Sequence, residues 1–185
     1  MPHRRALTVS TPLAVAAAVL TLVTGCGSED STADQSAGSP STAQVATDPG
    51  PMVAECGSVT DDEVVAAFGL TFTDVTRNGV GCEWTVAGSL GPSVAFSWYR
   101  GSPIGRERAG SDLLGRPAAD ITIGGYSGFI ASRESVLCEL GISFGGDFVH
   151  WSVNYGSVNS GLVAPPADPC VVGKSLMELT VSRAQ

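Results

Sequence analysis

The chain has 185 residues, 10 of them basic and 18 acidic, and a formal net charge of −8. Two of the basic residues, Arg4 and Arg5, lie in an N-terminal segment that we expect to be removed, which leaves 8 minus 18, or −10. Proteins bind nucleic acids by neutralising phosphates with Lys and Arg, so this charge argues against a nucleic-acid partner. It argues equally against docking on anionic lipid headgroups.

Residues 1–25 have the pattern of a lipoprotein signal peptide. Arg4-Arg5 gives a positively charged start, and residues 13–23 form an apolar stretch of the length typical of a signal. This stretch is shorter than the roughly 20 residues that a membrane-spanning helix needs. It leads into Val23-Thr24-Gly25-Cys26, where an aliphatic residue and two small residues precede a cysteine. We expect cleavage before Cys26 and acylation of its thiol. The alternative is an ordinary secretory signal with a chance cysteine.

A tether is expected to follow the acylated cysteine, over residues 26–51. Ser, Thr, Gly, Ala and Pro dominate this segment, which contains almost no large apolar side chain. Such a segment cannot bury enough surface to offset the entropy of ordering it, so we expect a flexible spacer. The remaining residues, 52–185, number about 130, which suits one domain with a single core.

Four further cysteines, Cys56, Cys82, Cys138 and Cys170, favour two disulfides, because an even number of cysteines in an exported chain is typical of disulfide bonding. Three pairings are open. We favour Cys56–Cys82 and Cys138–Cys170, since each joins a helix start to a strand start within one half of the chain. A metal site is the alternative. No pair has the Cys-x-x-Cys spacing, and His150 has no ligand-like neighbour, so we expect neither a metal nor a cofactor.

The first half of the domain shows one helix and two strands. Thr60 and Glu63 have capping-box spacing, which predicts a helix that ends at Gly69. Apolar and polar residues alternate over 82–87 and again over 94–99, which predicts two half-buried strands joined by a turn.

The second half is predicted to contain two helices with four strands between them. A helix is expected over 104–115, and a last helix begins at Asp168-Pro169, because proline is favoured in the first helical turn. The four strands are expected at 121–123, 126–131, 138–144 and 149–155. The predicted fold is therefore α+β, with an antiparallel sheet of about six strands packed by N- and C-terminal helices.

The cysteine framework resembles a known family. The pattern consists of Cys56 before the capped helix, Cys82-Glu83-Trp84, Cys138 on a later strand and Asp168-Pro169-Cys170 at the last helix. It is similar to a four-cysteine domain of unknown function in cell-envelope lipoproteins of mycobacteria and related actinobacteria, and it covers about residues 52–182. The resemblance implies an envelope lipoprotein without an assigned activity, and it brings no catalytic residues.

Candidate catalytic residues have structural interpretations. His150 is the sole histidine after the signal, and its position between alternating core residues points it to solvent or to a helix. Gly125-Tyr126-Ser127-Gly128 lacks one position of the Gly-x-Ser-x-Gly nucleophile motif. The carboxylates of Asp61, Asp62 and Glu63 fall in the first turn of a helix, where they offset the helix dipole. We therefore expect no catalytic residue.

Three tryptophans, Trp84, Trp98 and Trp151, lie on predicted inward faces of strands, where they form either core or a ligand groove. The sequence accordingly predicts a non-enzymatic lipoprotein on the extracytoplasmic face of the cell membrane. Its partners are the membrane, through the N-terminal lipid, and either a small apolar ligand or an envelope protein. The alternative function is an envelope hydrolase or transferase with an unrecognised site.

Overall fold

The computed structural model of the chain describes residues 50–86, 91–133, 135–156 and 165–185. These residues all belong to one compact unit, Gln44–Gln185. The predicted signal peptide, Cys26 and nearly all of the predicted tether lie outside the described residues.

Seven strands form one antiparallel sheet. In chain order they are β1 (Asp74–Asn78), β2 (Gly81–Thr85), β3 (Ser93–Tyr99), β4 (Ala119–Ile123), β5 (Tyr126–Arg133), β6 (Leu137–Phe144) and β7 (Asp147–Asn154). Their order across the sheet is β1-β2-β3-β7-β6-β5-β4, so five of the six neighbouring pairs are consecutive in sequence. The pair β3–β7 joins the two halves of the chain, with Phe96 opposite Trp151.

Three helices and a short 3-10 segment accompany the sheet: the 3-10 segment Glu55–Ser58, α1 (Asp61–Phe68), α2 (Ile104–Leu113) and α3 (Pro169–Arg183). The capping box of α1 is confirmed, because Glu63 N–H donates to Thr60 Oγ1 at 3.3 Å and Thr60 N–H donates to the Glu63 carboxylate at 2.9 Å. The Asp168 carboxylate accepts hydrogen bonds from two backbone N–H groups at the start of α3.

The core lies between one face of the sheet and the helices α1 and α3. Alternate residues of the central strands point into it, and Leu176 and Met177 of α3 are fully buried against them. Helix α2 covers the other face, where a Cβ on Gly141 would come within 3.2 Å of Ile104 and 2.6 Å of Phe129. The absence of a side chain at Gly141 therefore lets α2 approach the sheet.

Two disulfides connect the 3-10 segment and helix α3 to the sheet. Cys56–Cys82 joins the 3-10 segment to β2, with 5.3 Å between the Cα atoms, and Cys138–Cys170 joins β6 to α3, with 5.1 Å. This is the pairing that the sequence favours.

The α+β class, the antiparallel sheet of about six strands and the packing by terminal helices are confirmed, and the sheet has seven strands in all. The strand missing from the prediction is β1, Asp74–Asn78, in which Val75 is the sole apolar residue and four of five positions are exposed. Strand β1 is an edge strand that pairs only with β2. Most of its side chains therefore stay in solvent, and its sequence shows no alternation of apolar and polar residues. Helix α2 also ends earlier than predicted, at Leu113.

Candidate functional site

The structure gives different surroundings to the three tryptophans that the sequence assigns either to the core or to a ligand groove. Trp84 and Trp151 are completely buried, and their rings stack with centroids 5.8 Å apart. Their indole N–H groups both have hydrogen-bond acceptors: the exposed Asp61 Oδ1 at 2.8 Å for Trp84 and the buried Thr180 Oγ1 at 3.0 Å for Trp151. These two residues therefore form core and do not line a groove.

Trp98, near the end of β3, instead borders two open cavities of about 430 and 350 Å³. Val80 lines both cavities as well; Val53 and Phe96 line the larger one, and Arg100 lines the smaller. We call the two cavities together the Trp98 cleft. Their volumes fall within the range of small-molecule sites in proteins.

The tip of the β1–β2 hairpin places Val80 at the rim of the Trp98 cleft. The backbone N–H of Val80 donates to Asn78 Oδ1 at 3.0 Å, which closes the turn, and the backbone N–H of Trp98 donates to the Val80 carbonyl at 2.8 Å. A Cβ on Gly81 would lie 2.5 Å from the Phe96 carbonyl oxygen, so glycine is required for this close approach. The Val80 side chain remains 61% exposed.

A fixed cation covers the Trp98 ring. The Arg100 guanidinium carbon lies 4.4 Å from the ring centroid, and Arg100 Nε is 2.8 Å from Asp147 Oδ2. Asp147 is buried, and its other oxygen accepts a hydrogen bond from Gly101 N–H at 2.8 Å. Because the buried carboxylate neutralises the guanidinium, this wall of the Trp98 cleft carries no net charge.

The indole N–H of Trp98 is buried and has no hydrogen-bond partner within the described ranges. This sets it apart from Trp84 and Trp151, and buried donors without partners are uncommon in native proteins. The Oδ2 atom of Asp147, which faces Arg100, is the other buried side-chain atom without a hydrogen-bond partner among the described residues.

The 3-10 segment that borders the Trp98 cleft has an uncommon backbone. Cys56 and Ser58 have φ values of 55° and 61°, in the left-handed region that non-glycine residues rarely adopt. The disulfide to Cys82 holds the segment, while the Ser58 carbonyl accepts a hydrogen bond from Arg183 at 2.7 Å. Strain of this kind costs about 1–3 kcal/mol per residue and clusters at functional sites.

His150 lies far from a catalytic arrangement. It is on the α2 side of the sheet, with its ring centroid 6.3 Å from that of Phe129, and burial lowers its pKa while the nearby Glu139 opposes that shift. Glu139 accepts hydrogen bonds from Ser111 Oγ at 2.9 Å and from Arg116. Among the described residues, no hydrogen bond joins His150 to a serine or a carboxylate.

The other candidate residues have structural roles. Ser127 lies within β5 opposite Thr122, not at the strand-to-helix turn that a nucleophile elbow requires. Asp61 binds Arg77 and Trp84, and Glu63 pairs with Arg183 at 2.7 Å. The hydrogen bond from Arg183 is the main reason that the pKa of Glu63 falls to about 2.

No cluster of three or more potential metal ligands occurs among the residues that the structure describes.

Val80 and Arg100, which line the Trp98 cleft, and Asp147, which pairs with Arg100, do not stand out in the sequence. One local signal was available for the first of them: Asn78-Gly79 is a dipeptide typical of tight hairpins, and it predicts the turn that exposes Val80. The pairing of Arg100 with Asp147 spans 47 residues and has no local signature.

Within the described ranges, none of the helices combines the length and the apolar character that crossing a membrane demands. The domain is a small α+β fold with two disulfides, and the Trp98 cleft lies at one end of its sheet.

Comparison with known proteins identifies the family. Residues 21–183 match a family described as protein of unknown function (DUF3558), and the chain belongs to this family. It is 38% identical to the Mycobacterium leprae protein named as lipoprotein LprB, over 90% of this chain and 89% of the relative. It is 40% identical to the proteins of the same name from Mycobacterium bovis and Mycobacterium tuberculosis H37Rv, over 74% of each chain. No solved structure matches the chain.

These relatives confirm the resemblance drawn from the cysteine framework. They also support the lipoprotein interpretation of the N-terminal sequence, and with it an association with a membrane.

Proposed function

We propose that the protein is a non-catalytic binding module, held on the extracytoplasmic face of the cell membrane by acylated Cys26, and that the Trp98 cleft binds a small apolar ligand. The observation that carries the proposal is the contrast among the three tryptophans. Trp98 borders two cavities and has a buried N–H without a described partner, whereas Trp84 and Trp151 are buried and satisfied.

Apart from Glu55 and the Asp147-paired Arg100, the residues that line the Trp98 cleft are uncharged, which favours an uncharged, apolar ligand. Val53, Val80 and Phe96 supply aliphatic and aromatic surface, and burial of such surface yields about 25 cal/mol per Å². The charge of Arg100 is already compensated by Asp147, so a charged ligand gains little from it. The Cys56–Cys82 disulfide and the strained 3-10 segment keep this end of the domain preorganised, which lowers the cost of binding.

The enzyme alternative finds no support in the contacts of its candidate residues. A hydrolase needs a nucleophile within hydrogen-bond reach of a base. His150 has no such neighbour among the described residues, and the Ser111 hydroxyl is engaged by Glu139.

Co-purification tests the proposal with a matched pair of variants. Val80 and Leu114 are both exposed, at 61% and 69%, but only Val80 lines the Trp98 cleft. The full-length acylated protein is purified from membranes as wild type, Val80→Asp and Leu114→Asp, and small molecules are extracted and identified by mass spectrometry. We expect one apolar species with the wild type and Leu114→Asp, and a loss of at least fivefold with Val80→Asp. Equal content in all three, or none in the wild type, would contradict the proposal.

A second measurement addresses catalysis directly. A reproducible hydrolytic activity that disappears in His150→Ala, while the melting temperature is unchanged, would overturn the non-catalytic part of the proposal.

A further inference from the structure

The predicted tether enters the domain beside the Trp98 cleft. Met52 N–H donates to the Gln185 carbonyl at 2.5 Å, and Gln185 N–H donates back to the Met52 carbonyl at 3.1 Å, which fixes the entry point. The next residue, Val53, already lines the larger cavity. The chain that leads to acylated Cys26 therefore meets the domain at the end where the Trp98 cleft lies.

The length of the tether bears on which end of the domain faces the bilayer. About 24 residues separate Cys26 from the fixed part of the chain, and a segment of that length spans at most about 80 Å. A domain of about 135 residues has a radius of gyration of about 14 Å, hence a diameter of about 35 Å. The tether therefore keeps the domain near the bilayer, and the end that carries its entry point is the end joined to the lipid anchor.

We infer that the Trp98 cleft faces the bilayer and that its ligand is a membrane lipid, whose acyl chain enters past Val80. This inference rests on the proposed function and names the class of its ligand. The rim fits such an occupant, because Val80 is exposed and apolar and Arg100 is paired with Asp147. The acidic protein then contacts the apolar part of a lipid and does not depend on an anionic headgroup.

The contact needs little intrinsic affinity. Burial of one valine side chain is by itself too weak to hold a free protein on a vesicle. A short flexible link raises the effective concentration of the bilayer at the domain to the millimolar range, so a weak contact becomes populated. The lipid anchor and the Trp98 cleft thus act together in this inference.

Fluorescence quenching at defined positions tests the orientation. Val80→Cys and Leu114→Cys are labelled with the dye NBD on the full-length acylated protein in phosphatidylcholine vesicles, with and without lipids that carry a doxyl quencher on the acyl chain. The introduced cysteine is the reactive one, because the other four described cysteines are in disulfides and Cys26 is acylated. We expect at least threefold stronger quenching at position 80 than at position 114.

A third labelled variant, Gly79→Cys, is the control for a local effect of the dye at position 80. A side chain at Gly79 meets no atom within 4 Å, so this variant places the dye on the same hairpin tip without disturbing the packing. We expect it to be quenched like Val80→Cys. Equal quenching at all three positions, or stronger quenching at Leu114→Cys, would overturn the inference.

The two tests fail in different ways. If the dye at position 80 stays in water while an apolar species still co-purifies in a manner that depends on Val80, the bilayer orientation is wrong and the proposed function stands. A protein partner that shields position 80 without doxyl quenching also overturns the inference. If Val80→Asp leaves co-purification unchanged, the proposed function itself fails.

Discussion

Replacing Trp151 with alanine should destabilise the domain severely. The Trp151 side chain has no exposed surface, its ring centroid lies 5.8 Å from that of Trp84 and 5.1 Å from that of Phe96, and its N–H donates to Thr180. Truncation of a buried tryptophan costs about 3–5 kcal/mol in the free energy of unfolding. For a domain of this size that corresponds to a fall of about 10–20 °C in the melting temperature.

Trp98→Ala is the matched comparison, since it removes the same side chain from the Trp98 cleft. It gives up the contact with Arg100, which contributes about 0.5–1 kcal/mol, but no hydrogen bond from its N–H to a described residue is lost. We expect less than half of the destabilisation seen for Trp151→Ala. Circular dichroism melts and urea titrations, without reductant, measure both variants. Equal losses, or a larger loss for Trp98→Ala, would refute the division between core and cleft.

Three further predictions concern the anchor, the disulfides and pH. Cys26→Ala should abolish acylation and release the protein from the membrane fraction on detergent partitioning, and a cleaved, lipid-modified variant would contradict this. Removing the Cys138–Cys170 disulfide, which closes a loop of 32 residues, should lower the free energy of unfolding by about 3–4 kcal/mol in urea titrations; a loss under 1 kcal/mol would contradict it. Glu63 has its pKa lowered from 4.5 to about 2, chiefly by Arg183, so its stabilising effect is complete above pH 4.5 and is lost as the pH falls towards 2. Glu63→Gln should therefore show a weaker decline in unfolding free energy between pH 5 and pH 2 than the wild type, and parallel curves would count against this ion pair.

The elements that the sequence predicts correctly are those whose signals are local. The spacing of Thr60 and Glu63 defines the start of α1 because both hydrogen bonds of a capping box lie within four residues. The start of α3 at Pro169 is readable for the same reason. Strand β1 is not predicted, because an exposed edge strand needs no alternation of apolar and polar residues.

The difference between the tryptophans depends on distant partners. All three follow the same alternation along their strands, yet the N–H of Trp84 finds Asp61, 23 residues away, and that of Trp151 finds Thr180, 29 residues away. Nothing in the sequence around Trp98 shows that its N–H has no such partner. The cleft is therefore a property of tertiary packing, which single-sequence patterns do not encode.

Photo-cross-linking in the cell tests the binding role of the Trp98 cleft most directly. The photoreactive amino acid p-benzoylphenylalanine replaces Val80 in the full-length protein, with Leu114 replaced in the same way as the control, and adducts are analysed by intact-mass spectrometry after irradiation. Our account predicts a low-mass lipid adduct at position 80 and at least fivefold less at position 114. The absence of an adduct at position 80, equal labelling at both positions, or a protein adduct in place of the lipid would contradict it.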